Sequence, residues 1–295
     1  MGREQRRLLV DPGRLQQAPA GLVSLSAAES RYLVKVLRYG PGAVFAISDG
    51  AGGLWEAELV GSDRAQLQQP LKAPLAWQPP PTPPLVLLAA LVKRDYEVVL
   101  RMAVELGADW LLPCRAEYDA VAGQPNLERW RTIAREAAEQ CERPWLPQLQ
   151  DPRPARDWLG ASGPLPPLAA APTAAAAATA ALTAAMTGAM TGAMTGAMAP
   201  AAVGAQTSLK LFASTRLGEA QPLLEVLESW AAAEPPQSVW LACGPEGGWS
   251  GAEASLAADQ GWISVDLGPR ILRSSTAAVA ALGLLSDWRY RRWRC

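Results

Sequence analysis

The sequence contains no histidine. Every mechanism built on an imidazole base is therefore excluded, and so is every histidine-ligated zinc site. Its four cysteines, Cys114, Cys141, Cys243 and Cys295, never fall in C-x-x-C spacing. Thiols scattered in this way point to a reducing compartment and to no metal site. The formal net charge is only −1, so the chain as a whole does not advertise a nucleic-acid partner. Any RNA contact has to come from local basic patches. The N-terminal residues Met1-Gly2-Arg3-Glu4-Gln5-Arg6-Arg7 lack the apolar core of a signal peptide, and a cytoplasmic location is expected. Two phosphate-cradling patterns are also missing, Gly-x-x-x-x-Gly-Lys-Ser/Thr and Gly-x-Gly-x-x-Gly. Their absence argues against ATP and NAD as ligands.

What is present suffices for a sizeable core, with 49% apolar residues in 295. At roughly 150 residues per domain the length suggests about two domains. Residues 32–37 and 44–47 are short apolar runs, and the turn cluster Ser48-Asp49-Gly50-Ala51-Gly52-Gly53 follows. Residues 54–60 then alternate apolar and charged side chains. This pattern predicts short antiparallel strands in a small sheet or barrel over residues 1–75. Residues 76–84 form a proline-rich linker, with the run Pro79-Pro80-Pro81-Thr82-Pro83-Pro84.

From residue 85 to the end, strands and helices are expected to alternate. Residues 85–92 are continuously apolar, as in a strand buried on both faces. Helical periodicity covers residues 96–106, with Gly107 as a stop, and residues 127–141. Further strands are expected at 110–112, 209–213, 239–243 and 263–267, and helices at 219–230, 252–260 and 275–288. The order predicts an α/β domain with a parallel sheet. An uncharged alanine-rich stretch at about 160–206, with an Ala-Met-Thr-Gly repeat, interrupts it. Its Ala, Thr and Gly content is too weakly apolar for a membrane span. It is expected to be a dispensable surface insertion, since long loop insertions cost little.

Two glycine-proline loops each follow an expected strand. One is Cys243-Gly244-Pro245-Glu246-Gly247-Gly248-Trp249-Ser250 and the other runs from Leu267-Gly268-Pro269-Arg270 to Thr276. Ligands bind outside the carboxyl ends of strands in open parallel sheets, and glycines there let backbone approach a ligand closely. Either loop alone could be an ordinary turn; the pair points to a shared site. Ser250 with Glu253 has the spacing of a capping box, so Ser250 is assigned to helix capping and not to catalysis.

The segment from Cys243 onward resembles the C-terminal signature of the RsmE family, the uridine-N3 methyltransferases of small-subunit ribosomal RNA. The family's G-P-E-G-G is Gly244 to Gly248, and its L-G-x-R-I-L-R-x-x-T-A is Leu267 to Ala277. Upstream, Lys93-Arg94-Asp95, Glu105-Leu106-Gly107, Glu139-Gln140-Cys141 with Arg143, Arg6-Arg7-Leu8 and Val36-Leu37-Arg38 also fit. The resemblance implies a SPOUT-type domain with a C-terminal trefoil knot and a PUA-like N-terminal barrel that holds RNA. It implies a homodimer, S-adenosylmethionine (SAM) as cofactor, and small-subunit rRNA or the assembled 30S subunit as substrate, with no metal and no membrane. The implied cofactor contacts are Leu211, Phe212, Cys243, Gly244, Pro245, Glu246, Gly247, Gly248, Leu267, Gly268, Ile271, Leu272, Thr276 and Ala277. Arg273 is the first candidate for stabilising the uridine anion. Glu246 is assigned first to bracing its loop and second to general-base work. Arg6, Arg7, Arg38 and Arg270 are the expected RNA contacts. The C-terminal run Arg289-Tyr290-Arg291-Arg292-Trp293-Arg294 is either a further basic patch or a solvated tail.

The sequence departs from the family at Tyr118, where arginine is common, at Glu142, where glycine is usual, and at Ser275, where a carboxylate is usual. Three alternatives stay open: a non-catalytic RNA-binding protein of the same fold, a SPOUT methyltransferase acting on another RNA, and a different nucleotide-binding α/β enzyme.

Overall fold

A computed structural model of the chain describes residues 6–121, 123–161, 208–214, 220–230 and 234–293. The alanine-rich insertion lies outside them. The described residues divide into two compact units.

The first unit holds residues up to Pro79 together with Glu142–Trp145. Its elements are β1 (Arg7–Leu9), α1 (Pro12–Gln16), β2 (Leu22–Ser24), α2 (Ala27–Arg31), β3 (Val44–Ser48), β4 (Gly53–Leu59), β5 (Arg64–Leu67) and β6 (Ala76–Trp77). The sheet order is β1-β3-β4-β5-β2, with β6 on β4. The pairings are antiparallel except β1 with β3. β4 alternates buried and half-buried positions along its length, which is the period of a strand with one face on a core. That core includes Leu8, Leu15, Val23, Leu33, Phe45, Ile47 and Trp55.

Residues 32–37 are not a strand. A π-helical turn, Tyr32–Val36, continues α2. Ser26 and Glu29 form a capping box in front of it, with the Ser26 N–H donating to Glu29 Oε2 at 2.7 Å. Satisfying two orphan helix donors there starts a helix, and the following apolar run propagates it.

The second unit is an α/β layer. Its elements are β7 (Leu85–Ala90), α3 (Tyr96–Glu105), β8 (Trp110–Arg115), α4 (Leu127–Gln140), β9 (Gln148–Leu149), β10 (Arg153–Pro154), α5 (Ala155–Leu159), β11 (Leu209–Ala213), β12 (Gln221–Pro222), α6 (Leu223–Ser229), β13 (Val239–Cys243), α7 (Gly251–Asp259), β14 (Ile263–Asp266) and α8 (Ser274–Trp293). All pairings are parallel. The order is β10-β8-β7-β13-β11-β14-β12, with β9 on β8. All six residues of β7 are buried, as its unbroken apolar run predicts. Gly107 ends α3 at φ +86°, a conformation that favours glycine. The expected α/β class with a separate small N-terminal sheet is what the structure has. No described helix is long and apolar enough to cross a membrane.

Candidate active site

Three neighbouring strands end together. β11 pairs with β13 through Ala213 and Cys243, and with β14 through Ala213 and Val265. These three residues form the floor of a cleft. Because the strands are parallel, the chain leaves all three at the same edge, where such folds bind ligands. The loop after β13 and the loop after β14 make the walls.

The first wall contributes Cys243, Gly244, Pro245, Glu246, Gly248 and Trp249. The Gly248 N–H donates to the Pro245 carbonyl at 2.9 Å, closing a tight turn with Gly248 at φ +78°. Ser250 then caps α7: it accepts from the Glu253 N–H at 3.2 Å, while its own N–H donates to Glu253 Oε2 at 2.9 Å. The assigned cap is therefore present. Burial pushes the Cys243 thiol up to about 12, so it serves as a small apolar lining group and not as a nucleophile.

The second wall contributes Asp266, Leu267, Arg270, Ile271, Leu272, Ser274 and Ala277. Gly268 does not line the cleft, but it sits at φ +107° and its N–H donates to Asp266 Oδ1 at 2.9 Å. The Ser274 hydroxyl donates to the Gly244 carbonyl. That bond ties the start of α8 to the first loop, so the two walls are one construction.

Several expected residues are placed differently. Leu211 and Phe212 are buried within β11 and do not reach the cleft. Phe212 acts one step removed, through a stack on Trp249 with ring centres 4.9 Å apart. Gly247 and Thr276 do not line the cleft; Gly247 instead lies against Tyr118. Arg273 is exposed outside the lining, whereas Arg270 is part of it. Glu246 is exposed and has no hydrogen bond or ion pair among the described residues. The loop is therefore braced by Ser274, by its own Gly248–Pro245 turn and by the Ser250 cap, and not by Glu246. Of the basic residues in the first unit, Arg6 and Arg38 are exposed, but Arg7 is engaged in an ion pair with Glu142 at 3.0 Å. Arg289 leaves the C-terminal basic run altogether, because it is bound to the buried Asp109.

Sequence reasoning did not assign Trp249 to the site. Its indole N–H donates to the Ala213 carbonyl at 3.1 Å, and a Cβ on Gly244 would sit 3.0 Å from its ring. Only the adjacency of Trp249 to the glycine loop could have drawn attention to it. Asp266 and Ser274 were likewise missed. Among the described residues no cluster of acidic or cysteine side chains could hold a metal ion.

Comparison with known proteins covers almost the whole chain. A family model for an RNA methyltransferase domain matches residues 78–196 and 198–286. A second, for an RNA methyltransferase PUA domain, matches residues 25–68. A Synechocystis protein named ribosomal RNA small subunit methyltransferase E is 33% identical over 95% of this chain and 77% of its own length. The Bacillus subtilis protein of the same name is 24% identical over 95% of this chain and 96% of its own. Among solved structures, a ribosomal RNA small subunit methyltransferase E from Neisseria gonorrhoeae, bound to SAM, superposes with a TM-score of 0.67 at 22% identity, covering 96% of this chain and 98% of that one. A putative methyltransferase from Legionella pneumophila, also with SAM, gives 0.68 at 22% identity over 97% and 98%. The fold is shared with both structures, and by the family model and the Synechocystis relative the chain belongs to the RsmE family of RNA methyltransferases.

Proposed function

We propose that the chain methylates N3 of a uridine in small-subunit ribosomal RNA, in the cytoplasm, with SAM as donor. The observation that carries this reading is the cleft where both glycine-proline loops meet at the carboxyl ends of β11, β13 and β14. The names of the relatives supply the substrate class. The lining suits the cofactor. Its only charged side chains are Glu246, Asp266 and Arg270, and the rest are apolar or small. Such a site fits a nucleoside carrying a sulfonium better than one carrying a phosphate chain. The loop residues that line the cleft, among them Gly244, Pro245, Gly248, Leu267 and Leu272, would hold it, largely through backbone groups.

Bound SAM supplies an electrophilic methyl group on sulfur. The remaining work belongs to the chain's own residues. Uridine N3 is a poor nucleophile until its proton leaves, so the site has to align N3 and favour the anionic base. A guanidinium beside the oxygens flanking N3 does this. Arg273 takes that role with Arg270 behind it, and neither side chain has a partner among the described residues that would compete. Glu246 stands at the mouth of the cleft as a carboxylate able to accept the proton. Arg6 and Arg38 are the phosphate contacts of the N-terminal unit, which is the PUA-like RNA-binding domain of this reading.

The same reading carries a homodimer and a trefoil knot. Ile271, 83% exposed beside the cleft, is an apolar side chain that a second copy would cover. β13 runs between β7 and β11, β14 lies beyond β11, and α8 returns to pack on β7 and β13. This order is compatible with a threaded C-terminus.

The test is incubation with SAM and small ribosomal subunits lacking the modification, followed by mapping of the methylated base. N3-methyluridine is the expected product. No transfer overturns the activity, and transfer to another base or RNA replaces the substrate.

A further inference from the structure

We infer that Tyr118 is an aromatic platform for a nucleotide of the RNA substrate, an inference that rests on the proposed methyl transfer. The residue lies in the loop after β8, and its backbone is pressed against the first glycine loop. A Cβ placed on Gly247 would come within 2.9 Å of the Tyr118 Cβ and 3.0 Å of its carbonyl oxygen. Gly247 is thus required for this close approach, and the loop after β8 packs on the outer side of the first glycine loop, next to the residues that line the cleft.

The loop is firmly built. Glu253, which is buried, accepts the Glu117 N–H on Oε1 at 3.0 Å and the Ser250 N–H on Oε2 at 2.9 Å. One carboxylate therefore fastens the residue before Tyr118 to the helix cap that follows the glycine loop. On the other side, Arg115 donates to the carbonyls of Val121 and Gly123, and Asp119 accepts the Val121 N–H at 3.3 Å. Yet within this fastened loop Tyr118 is 53% exposed. Its hydroxyl has no hydrogen-bond partner among the described residues. A large aromatic on an already fixed backbone has only its two side-chain torsions left to order on binding.

The chemistry that such a ring recognises beside a base-modifying site is the face of a base. A uridine in a duplex hides N3 in its Watson–Crick edge. A base whose N3 is to be methylated has to be unpaired or turned out, and bases so displaced are held by stacking on aromatic side chains. Stacking tolerates any base, so Tyr118 can serve the target uridine or its neighbour.

The experiment compares the intact chain with Tyr118→Ala and Tyr118→Phe. SAM affinity is read by calorimetry, RNA affinity by filter binding to unmodified small-subunit rRNA, and methyl transfer by its KM and kcat. Tyr118→Ala should weaken RNA binding and raise the KM for RNA about tenfold. Tyr118→Phe should stay within about twofold of wild type, since the ring and not the hydroxyl is used. SAM affinity should be unchanged in both. Unaltered RNA affinity in Tyr118→Ala overturns the proposal. So does an equal loss in Tyr118→Phe, or a loss of SAM affinity, which would make Tyr118 a prop of the cofactor loop. If wild type transfers no methyl yet Tyr118→Ala still weakens RNA binding, the functional reading fails and the platform stands.

Discussion

Arg289, near the end of the last helix, donates to the buried carboxylate of Asp109 at 2.6 Å. The same guanidinium donates to the Gly107 carbonyl at 2.9 Å, and Asp109 Oδ2 also accepts the Leu85 N–H at 2.8 Å. One ion pair thus joins α8 to the starts of β7 and β8. Removing the arginine takes the paired cation away from a buried carboxylate. Arg289→Ala should lower unfolding stability by about 3–5 kcal/mol, read by urea denaturation. A loss under about 1 kcal/mol would mean that water reaches Asp109 and replaces the guanidinium.

Gly268 has open space where a Cβ would go, so its substitution tests backbone conformation alone. At φ +107° an alanine is strained by roughly 1–3 kcal/mol. Gly268→Ala should weaken SAM binding about tenfold or more by calorimetry, because the loop relaxes away from the cleft. Unchanged affinity would remove this loop from the cofactor site.

Burial raises the Asp49 carboxyl above the usual carboxylate value, partly offset by the Ala51 and Gly53 amides that donate to it. Because the folded value is the higher one, the unfolded chain gives up this proton first. The contribution of Asp49 to stability is therefore fully present below the unfolded carboxylate range and is lost as pH rises through the folded value. The stability of Asp49→Asn relative to wild type should improve as pH is raised from about 3 toward 7. Parallel thermal denaturation of both proteins across that range checks it, and a constant difference would mean that no shift exists.

Glu142 makes its ion pair from a left-handed backbone position. It stands at φ +58°, in the left-handed region where glycine is at ease. Its carboxylate pairs with Arg7, and its carbonyl also accepts from that guanidinium. The partly exposed pair is worth at most about 1 kcal/mol, and the strain relieved by glycine is similar. Glu142→Gly should shift unfolding stability by less than about 1 kcal/mol. A larger loss would show that the carboxylate anchors β1.

Arg273→Ala should abolish methyl transfer, with unfolding stability within about 0.5 kcal/mol of wild type, since the side chain is exposed and makes no hydrogen bond or ion pair among the described residues. Retained turnover would reassign the anion-stabilising role to Arg270.

Much of this was legible in the sequence for identifiable reasons. Leu209–Ala213 and Val239–Cys243 were expected at their observed bounds. Central parallel strands are continuous apolar runs flanked by polar turns, and little else competes for that pattern. The two glycine loops were visible because backbone conformation demands glycine there. Residues 32–37 misled because a short apolar run has no period of its own, and the Ser26 to Glu29 cap that decides it lies upstream. Strands of two residues, such as β9 and β12, exist only through their neighbours and leave no local signal. In the sequence Trp249 stands out only as part of its loop and Tyr118 only as a departure from the family pattern, and neither shows its packing partner. Their roles come from contacts with Phe212, Ala213 and Gly247, all distant in sequence or not marked as partners by spacing.

The central position of β13 has a consequence for how the protein is made. During synthesis β7 gains β8 almost at once, but its other edge is reserved for residues 239–243. At ribosomal speeds of about 5–20 residues per second, that edge stays open for roughly seven to thirty seconds. A strand as apolar as β7, unpaired for so long, is a template for association with other chains. Closing the sheet therefore waits on a strand made late in the chain, and until then the nascent protein carries this edge open.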